Sequence, residues 1–162
     1  MGEGLTVEDR LALRALVDAY ADAVDRKEAA EVAALFAPDG RMVVAGDGGA
    51  RGGGTRRRGR REIADALAAL GSYHTLTHVV GGQALARHAT DGAVTGITTC
   101  VAHHVLERGD RRVLQVMGVK YHDTYVRLDE GWRFAERTLE FQWRDERDLP
   151  PARSEEPRSE ER

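Results

Sequence analysis

The residues best suited to chemistry in this chain are imidazoles set on strand-forming stretches. Histidines stand at 74, 78, 88, 103, 104 and 122. His74 and His78 flank Thr-Leu-Thr and precede Val79-Val-Gly-Gly82. Residues four apart on a strand face the same way, so these two should share a side. His103 and His104 are adjacent, so only one can point inward. His104 alternates with Thr98, Cys100 and Ala102, all small, whereas His103 alternates with Ile97, Val101 and Val105. A row of small residues ending in an imidazole suits a lined cavity, or equally a row closely covered by a helix. The chemistry such histidines offer is proton transfer, because imidazole titrates near neutral pH.

Other chemistries fit less well. His-x3-His is a zinc spacing on a helix, but on a strand the rise alone separates the two side chains by roughly 13 Å. No His-Glu-x-x-His or cysteine cluster is present, so no metal is expected. No Gly-x-Ser-x-Gly occurs, and Cys100 reads as a small core residue. General acid–base catalysis without a cofactor needs only an imidazole or a carboxylate beside an apolar pocket. Asp25 could serve, at the margin of a helix's apolar face. Its other reading is a surface residue at the helix end, even though a helix C-terminus disfavours a carboxylate. Tyr20, five residues earlier, lies squarely on that apolar face. Tyr121, Asp123 and Tyr125 continue the alternation of Val113, Gln115, Met117 and Val119. That face would floor a cleft or emerge into solvent.

The elements that position these groups are helices first and strands after. Thr6 should cap a helix with Asp9 in its first turn, and Leu13, Leu16, Val17, Tyr20 and Val24 keep helical spacing to about Arg26. Residues 29–36 repeat the pattern, and Ala37-Pro-Asp-Gly40 stops it. A short strand follows over 41–45. Residues 46–61 hold seven glycines and six arginines, which reads as a flexible basic loop or a poorly ordered hairpin, either solvated or an anion clamp. A third helix is expected over 61–70. Strands are expected over 75–86, 93–107, 113–128 and 132–143, the last entered through an Asp-Glu-Gly turn. Helices followed by antiparallel strands indicate an α+β fold rather than βαβ alternation.

Length and composition bound the rest. The 162 residues suit one domain with a real core. We expect a frayed start over 1–6, the domain over 7–144 and a disordered, charged tail over 145–162. The balance of 24 Lys+Arg against 27 Asp+Glu argues against nucleic-acid binding by the whole protein. The arginine run also lacks the interleaved aromatics that stack on bases. No apolar run approaches the roughly 20 residues that span a bilayer, so no membrane association is expected. No signal peptide is visible, and a single cysteine suits a reducing cytoplasm.

The segments Tyr20-Ala-Asp-Ala-Val-Asp25, Ala34-Leu-Phe-Ala-Pro-Asp-Gly40, His78-Val-Val-Gly-Gly82 and Gly131-Trp-Arg-Phe134 resemble a SnoaL-like domain of the nuclear transport factor 2-like superfamily. The resemblance covers residues 6 to 144. It implies a cone: a curved antiparallel sheet wrapped around three N-terminal helices, with a pocket between them. The site pattern is similar to scytalone dehydratase and the bile-acid dehydratases. By that likeness Asp25 pairs with His104, the base, while His78 faces them as the second imidazole and Tyr20 assists. Tyr121, Met117, Val44 and Tyr125 would contact the substrate. Val44 stands where scytalone dehydratase has a tyrosine, and Tyr121 near where it has an asparagine, which implies a different substrate. The resemblance thus implies a cofactor-independent dehydratase acting on a small apolar ketone or hydroxy-ketone. An isomerase, a polyketide cyclase and a non-catalytic binding or dimerisation module share the scaffold. Dimers or trimers through the outer sheet face are implied as well.

Overall fold

Thr6 starts the first helix as expected: its Oγ1 accepts the Asp9 N–H at 3.0 Å. The computed structural model describes residues 4–45, 54–88 and 90–150. Helix α1 runs Val7–Asp25 and buries Leu13, Leu16, Val17, Tyr20, Ala23 and Val24 on one side. It ends in a Schellman turn, with Lys27 N–H donating to the Val24 carbonyl and Glu28 N–H to that of Ala23, both at 2.9 Å. Lys27 takes the left-handed position, φ 62°. Its ammonium donates to the carbonyls of Tyr73 and His74, tying the end of α1 to the entry of a later strand. Asp25, the last residue of α1, is therefore held against that strand.

Helix α2 (Ala29–Ala34) leads directly into strand β1 (Phe36–Val44); β2 (Thr55–Arg58), α3 (Gly59–Leu67) and a 3-10 turn (Ala68–Ser72) follow. Four long strands complete the chain: β3 (Thr75–Arg87), β4 (Val94–Arg108), β5 (Arg111–Leu128) and β6 (Gly131–Leu149). The sheet order is β2-β1-β6-β5-β4-β3. The sheet is curved and unclosed, consistent with a cone-like α+β fold. Leu13, Val17, Val32, Phe36, Ile63 and Phe134 are fully buried in the one core.

Four local expectations are corrected. First, the sheet is mixed, because β1 runs parallel to β6. No hairpin joins these two strands, so no turn imposes the antiparallel sense. Second, Ala37-Pro-Asp-Gly40 does not precede the first strand but lies inside it. Pairing jumps from Phe36↔Phe134 to Arg41↔Glu136, so the turn residues form an excursion in a continuous strand. Gly40 is needed there: a Cβ would fall 2.9 Å from the Phe134 carbonyl oxygen. Third, of the two readings of the basic stretch, the loop gives way to the hairpin over 55–58, which form strand β2, paired antiparallel with β1 from Arg41↔Arg58 to Val44↔Thr55. Residues 46–53 of that loop lie outside the described residues, as do 1–3 and 151–162. Fourth, β6 continues to Leu149, so 144–149 is strand rather than tail. Its backbone pairs with β5 as far as Arg112↔Leu149. Its charges find partners across the sheet: Arg108 with Glu146 at 2.6 Å and Arg111 with Asp148 at 2.8 Å. Among the described residues no helix is long and apolar enough to cross a membrane.

Candidate active site

Edge strand β3 supplies the first imidazole. Leu76 and His78 face the core side, while Thr75, Thr77 and Val79 face out. Residues 81–82 break the register between Val80 and Gln83, as the two glycines suggest. His74 precedes the strand, is exposed, and contacts the Thr75 hydroxyl through Nδ1 at 2.9 Å. It is not a partner of His78.

Asp25 closes on His78 at two points. Its Oδ1 lies 2.7 Å from His78 Nδ1, and its Oδ2 accepts the His78 backbone N–H at 3.0 Å. The expected Asp25–His104 pairing is therefore overturned. The reason is position in the sheet: α1 packs on β3, and β4 lies one strand further in, across a spacing of roughly 4.8 Å. The carboxylate reaches the nearer imidazole. A Nδ1–H donated to Asp25 leaves His78 Nε2 with its lone pair free. His78 is nearly buried, with 7% of its side chain exposed against 28% for Asp25. The pair therefore also borders a surface groove that Arg14, Asp18 and Asp22 help to line.

His104 stands behind His78, ring centroids 5.4 Å apart, and its other face meets Tyr73 at 4.8 Å. Neither of its ring nitrogens has a hydrogen-bond partner among the described residues. It does share the inward face with Thr98, Cys100 and Ala102, all buried. Burial, and then the neighbouring His78, push it down to about 4 from its ordinary 6.5. His104 is thus neutral at pH 7 and a weak base. Between pH 6.5 and 4 the unfolded chain binds a proton that the folded protein refuses. The stability this neutral imidazole allows is complete above 6.5 and is lost as pH falls toward 4. Denaturant melts across that window should show His104→Phe declining less steeply than wild type. An equally steep decline would show that His104 does not drive this loss.

Deeper in the core lies a group the sequence did not signal. Arg137 on β6 forms a bidentate pair with Asp123 on β5, Nε–Oδ1 and Nη2–Oδ2 both 2.8 Å. Both side chains are 0% exposed. Tyr125 donates its hydroxyl to Asp123 at 2.9 Å and accepts from Gln83 at 3.2 Å. The guanidinium carbon is 4.2 Å from the ring centroid of Tyr20, 4.3 Å from that of Tyr121 and 4.1 Å from that of Phe134. Arg137 Nη1 and Thr98 Oγ1 are buried without partners among the described residues. Burial raises the phenols of Tyr20 and Tyr121 above their ordinary value of 10.0, so both stay protonated.

Of the expected substrate contacts, Val44 lines a cavity, which it shares with the catalytic candidate Tyr20. It measures about 270 Å³ and is completed by Met42, Thr55, Arg57, Ala66, Leu67 and Leu139. Met117, Tyr121 and Tyr125 are buried in the core. Tyr20 links the two regions, because its ring lines the cavity and stacks on Arg137. Among the described residues no three His, Cys, Asp or Glu side chains are placed to hold a metal ion.

Comparison with known proteins agrees with this fold. A family model for the SnoaL-like domain matches residues 5–138. An uncharacterized protein, Rv2910c, of Mycobacterium tuberculosis is 25% identical over 131 residues, 81% of this chain and 84% of its own. A candidate scytalone dehydratase from Novosphingobium aromaticivorans superposes with a TM-score of 0.72 at 19% identity, covering 92% of this chain and 97% of that one. A type 3 hexachlorocyclohexane dehydrochlorinase from Novosphingobium barchaimii gives 0.65 at 20% identity, covering 90% and 96%. At these identities the structural likeness speaks for the fold alone.

Proposed function

Since the chain belongs to the SnoaL-like domain family, we propose that it is a cofactor-independent acid–base enzyme acting next to the carbonyl of a small, largely apolar hydroxy-ketone, as a dehydratase. The observation that carries this reading is the two-point contact of Asp25 with His78 beside the unpartnered ring of His104. A carboxylate on Nδ1 fixes the tautomer of an imidazole and stabilises the imidazolium that forms when Nε2 takes a proton.

In this scheme His78, not His104, is the base. Its Nε2 removes the proton from the carbon beside the carbonyl, and the electron pair moves into an enolate. The proposed donors to the enolate oxygen are the Tyr20 hydroxyl, whose ring lines the cavity, and Arg137 Nη1, buried without a partner among the described residues; donors already in place lower such barriers most. When the carbonyl re-forms, the bond to the β-hydroxyl breaks. The proton held by His78 leaves with the hydroxyl as water, and an α,β-unsaturated ketone remains. His104, neutral and with both nitrogens free, hydrogen-bonds the substrate oxygens and carries no net charge.

The test is a panel of β-hydroxy ketones in D₂O. Enone absorbance reports water loss, and NMR reports deuterium entering the α-carbon. Loss of water with an α-C–H isotope effect is expected for at least one member. Deuterium exchange without water loss would move the reading to the isomerase or cyclase on this scaffold. Absence of both across the panel would favour the binding module.

A further inference from the structure

The six arginines between 51 and 61 are not used by the scheme above. Strand β2 separates them by face. Arg56 and Arg58 are exposed and Arg57 is half-buried between them. Arg57 pairs directly with Met42 of β1, and cross-strand partners share a face. Met42 is buried and lines the 270 Å³ cavity, so Arg57 turns to the same side and lines it too. The rest of that wall is Tyr20, Val44, Ala66, Leu67 and Leu139, with Thr55 at the edge.

Neighbouring arginines have structural duties. Arg60 Nε donates to the Phe36 carbonyl at 2.9 Å, and Arg41 pairs with Glu136 at 2.7 Å. Among the described residues Arg57 makes one hydrogen bond, from Nη1 to the Arg56 carbonyl at 2.9 Å, and no carboxylate pairs with it. Its Nε and Nη2 donors, without a partner among the described residues, thus belong to the wall of a mostly apolar cavity. Such a fork of donors matches a carboxylate in a way that a ketone oxygen does not.

We propose that Arg57 is a specificity-determining residue that binds the carboxylate end of a substrate whose apolar body fills the cavity over Tyr20. This rests on the reading that the cone holds the substrate, not on the chemistry assigned to His78. The ligand class is an aryl or alkyl carboxylic acid with its reactive end toward Tyr20. The cavity is slightly below the usual range of roughly 300–1,000 Å³ for ligand sites, which limits that body to about two fused rings.

Calorimetry with a matched pair of probes tests this: 2-naphthoate and 2-acetonaphthone, equal in shape and different in charge. Wild type should bind the carboxylate at least tenfold more tightly, and the preference should shrink as salt rises. Arg57→Gln should reduce it to threefold or less. Arg57→Lys, which keeps the charge but not the fork, should fall between. Arg56→Gln should match wild type, and circular dichroism melts confirm that each variant is folded. Equal affinity for the two probes, binding of neither, or a preference that survives in Arg57→Gln would overturn the proposal. His78→Gln separates the two readings: it should keep the carboxylate preference while losing proton chemistry. If proton chemistry proves absent and the Arg57-dependent preference remains, the dehydratase reading fails and this one stands.

Discussion

His78→Gln lowers turnover by about 10²–10⁴-fold, the usual worth of a positioned general base. The expectation follows from where Asp25 points. A glutamine is close to isosteric with the imidazole but cannot take a proton at neutral pH. Asp25→Asn should lose activity to a similar order, because an amide facing Nδ1 can reverse the tautomer and cannot balance an imidazolium. His104→Gln should cost less, since its place is to hydrogen-bond rather than to remove the proton. Single-turnover rates of enone formation measure all three. A His78→Gln loss of under threefold would sink the assignment. A larger loss for His104→Gln than for His78→Gln would return the base to the residue that the family pattern favoured.

The second large effect concerns stability. Asp123→Asn or Arg137→Met each removes one half of a fully buried ion pair, which costs on the order of 3–5 kcal/mol because the other charge is stranded. For a domain of this size the melting temperature should fall by roughly 10 °C. Replacing both together, as Asp123→Leu with Arg137→Met, should recover most of the loss, since a buried pair gains little over apolar residues of similar volume. Urea melts of the two single variants and the double complete the cycle. If Asp123→Asn costs less than about 1 kcal/mol, the pair is not the buried, dry contact described here. Arg137→Lys adds a functional readout. It keeps the charge but gives up the fork and the flat stacking on Tyr20, Tyr121 and Phe134. If Arg137 Nη1 meets an enolate, that variant should fall in turnover more than in substrate affinity.

The two expectations differ in how far they could be read from the chain. Asp25, His78, His104 and Tyr20 were all legible as candidates from their residue types and from family-like spacing. The partner of Asp25 was not. Helical and strand periodicity put Tyr20 on an inward face and Asp25 at its margin, but they do not say which strand the helix end touches. That was decided by α1 packing on edge strand β3 and by the turn at Lys27, which ties it to Tyr73 and His74.

Arg137 was hidden for a sharper reason. Counting by twos from Phe134 puts Glu136 and Thr138 inward and Arg137 outward. The irregularity between Thr124 and Tyr125 inserts one residue on β6, so Phe134 pairs with Tyr125 while Arg137 pairs with Asp123. One extra residue reverses the side chains that follow it, here as far as the next irregularity between Val119 and Gly118. No local signal in Gly-Trp-Arg-Phe-Ala-Glu-Arg marks the shift.

Local patterning was enough to place the four long strands after the helices, to start α1 and to mark the buried face of β4 and β5. These depend on side-chain periodicity and capping, which act over a few neighbouring residues. The parallel seam between β1 and β6, the strand that extends through charged residues 144–149, the Asp25–His78 pair and the buried Arg137 emerge only from the folded chain. Each of these turns on pairing between segments distant along the chain, where a shift of one residue, or one strand, changes which groups meet.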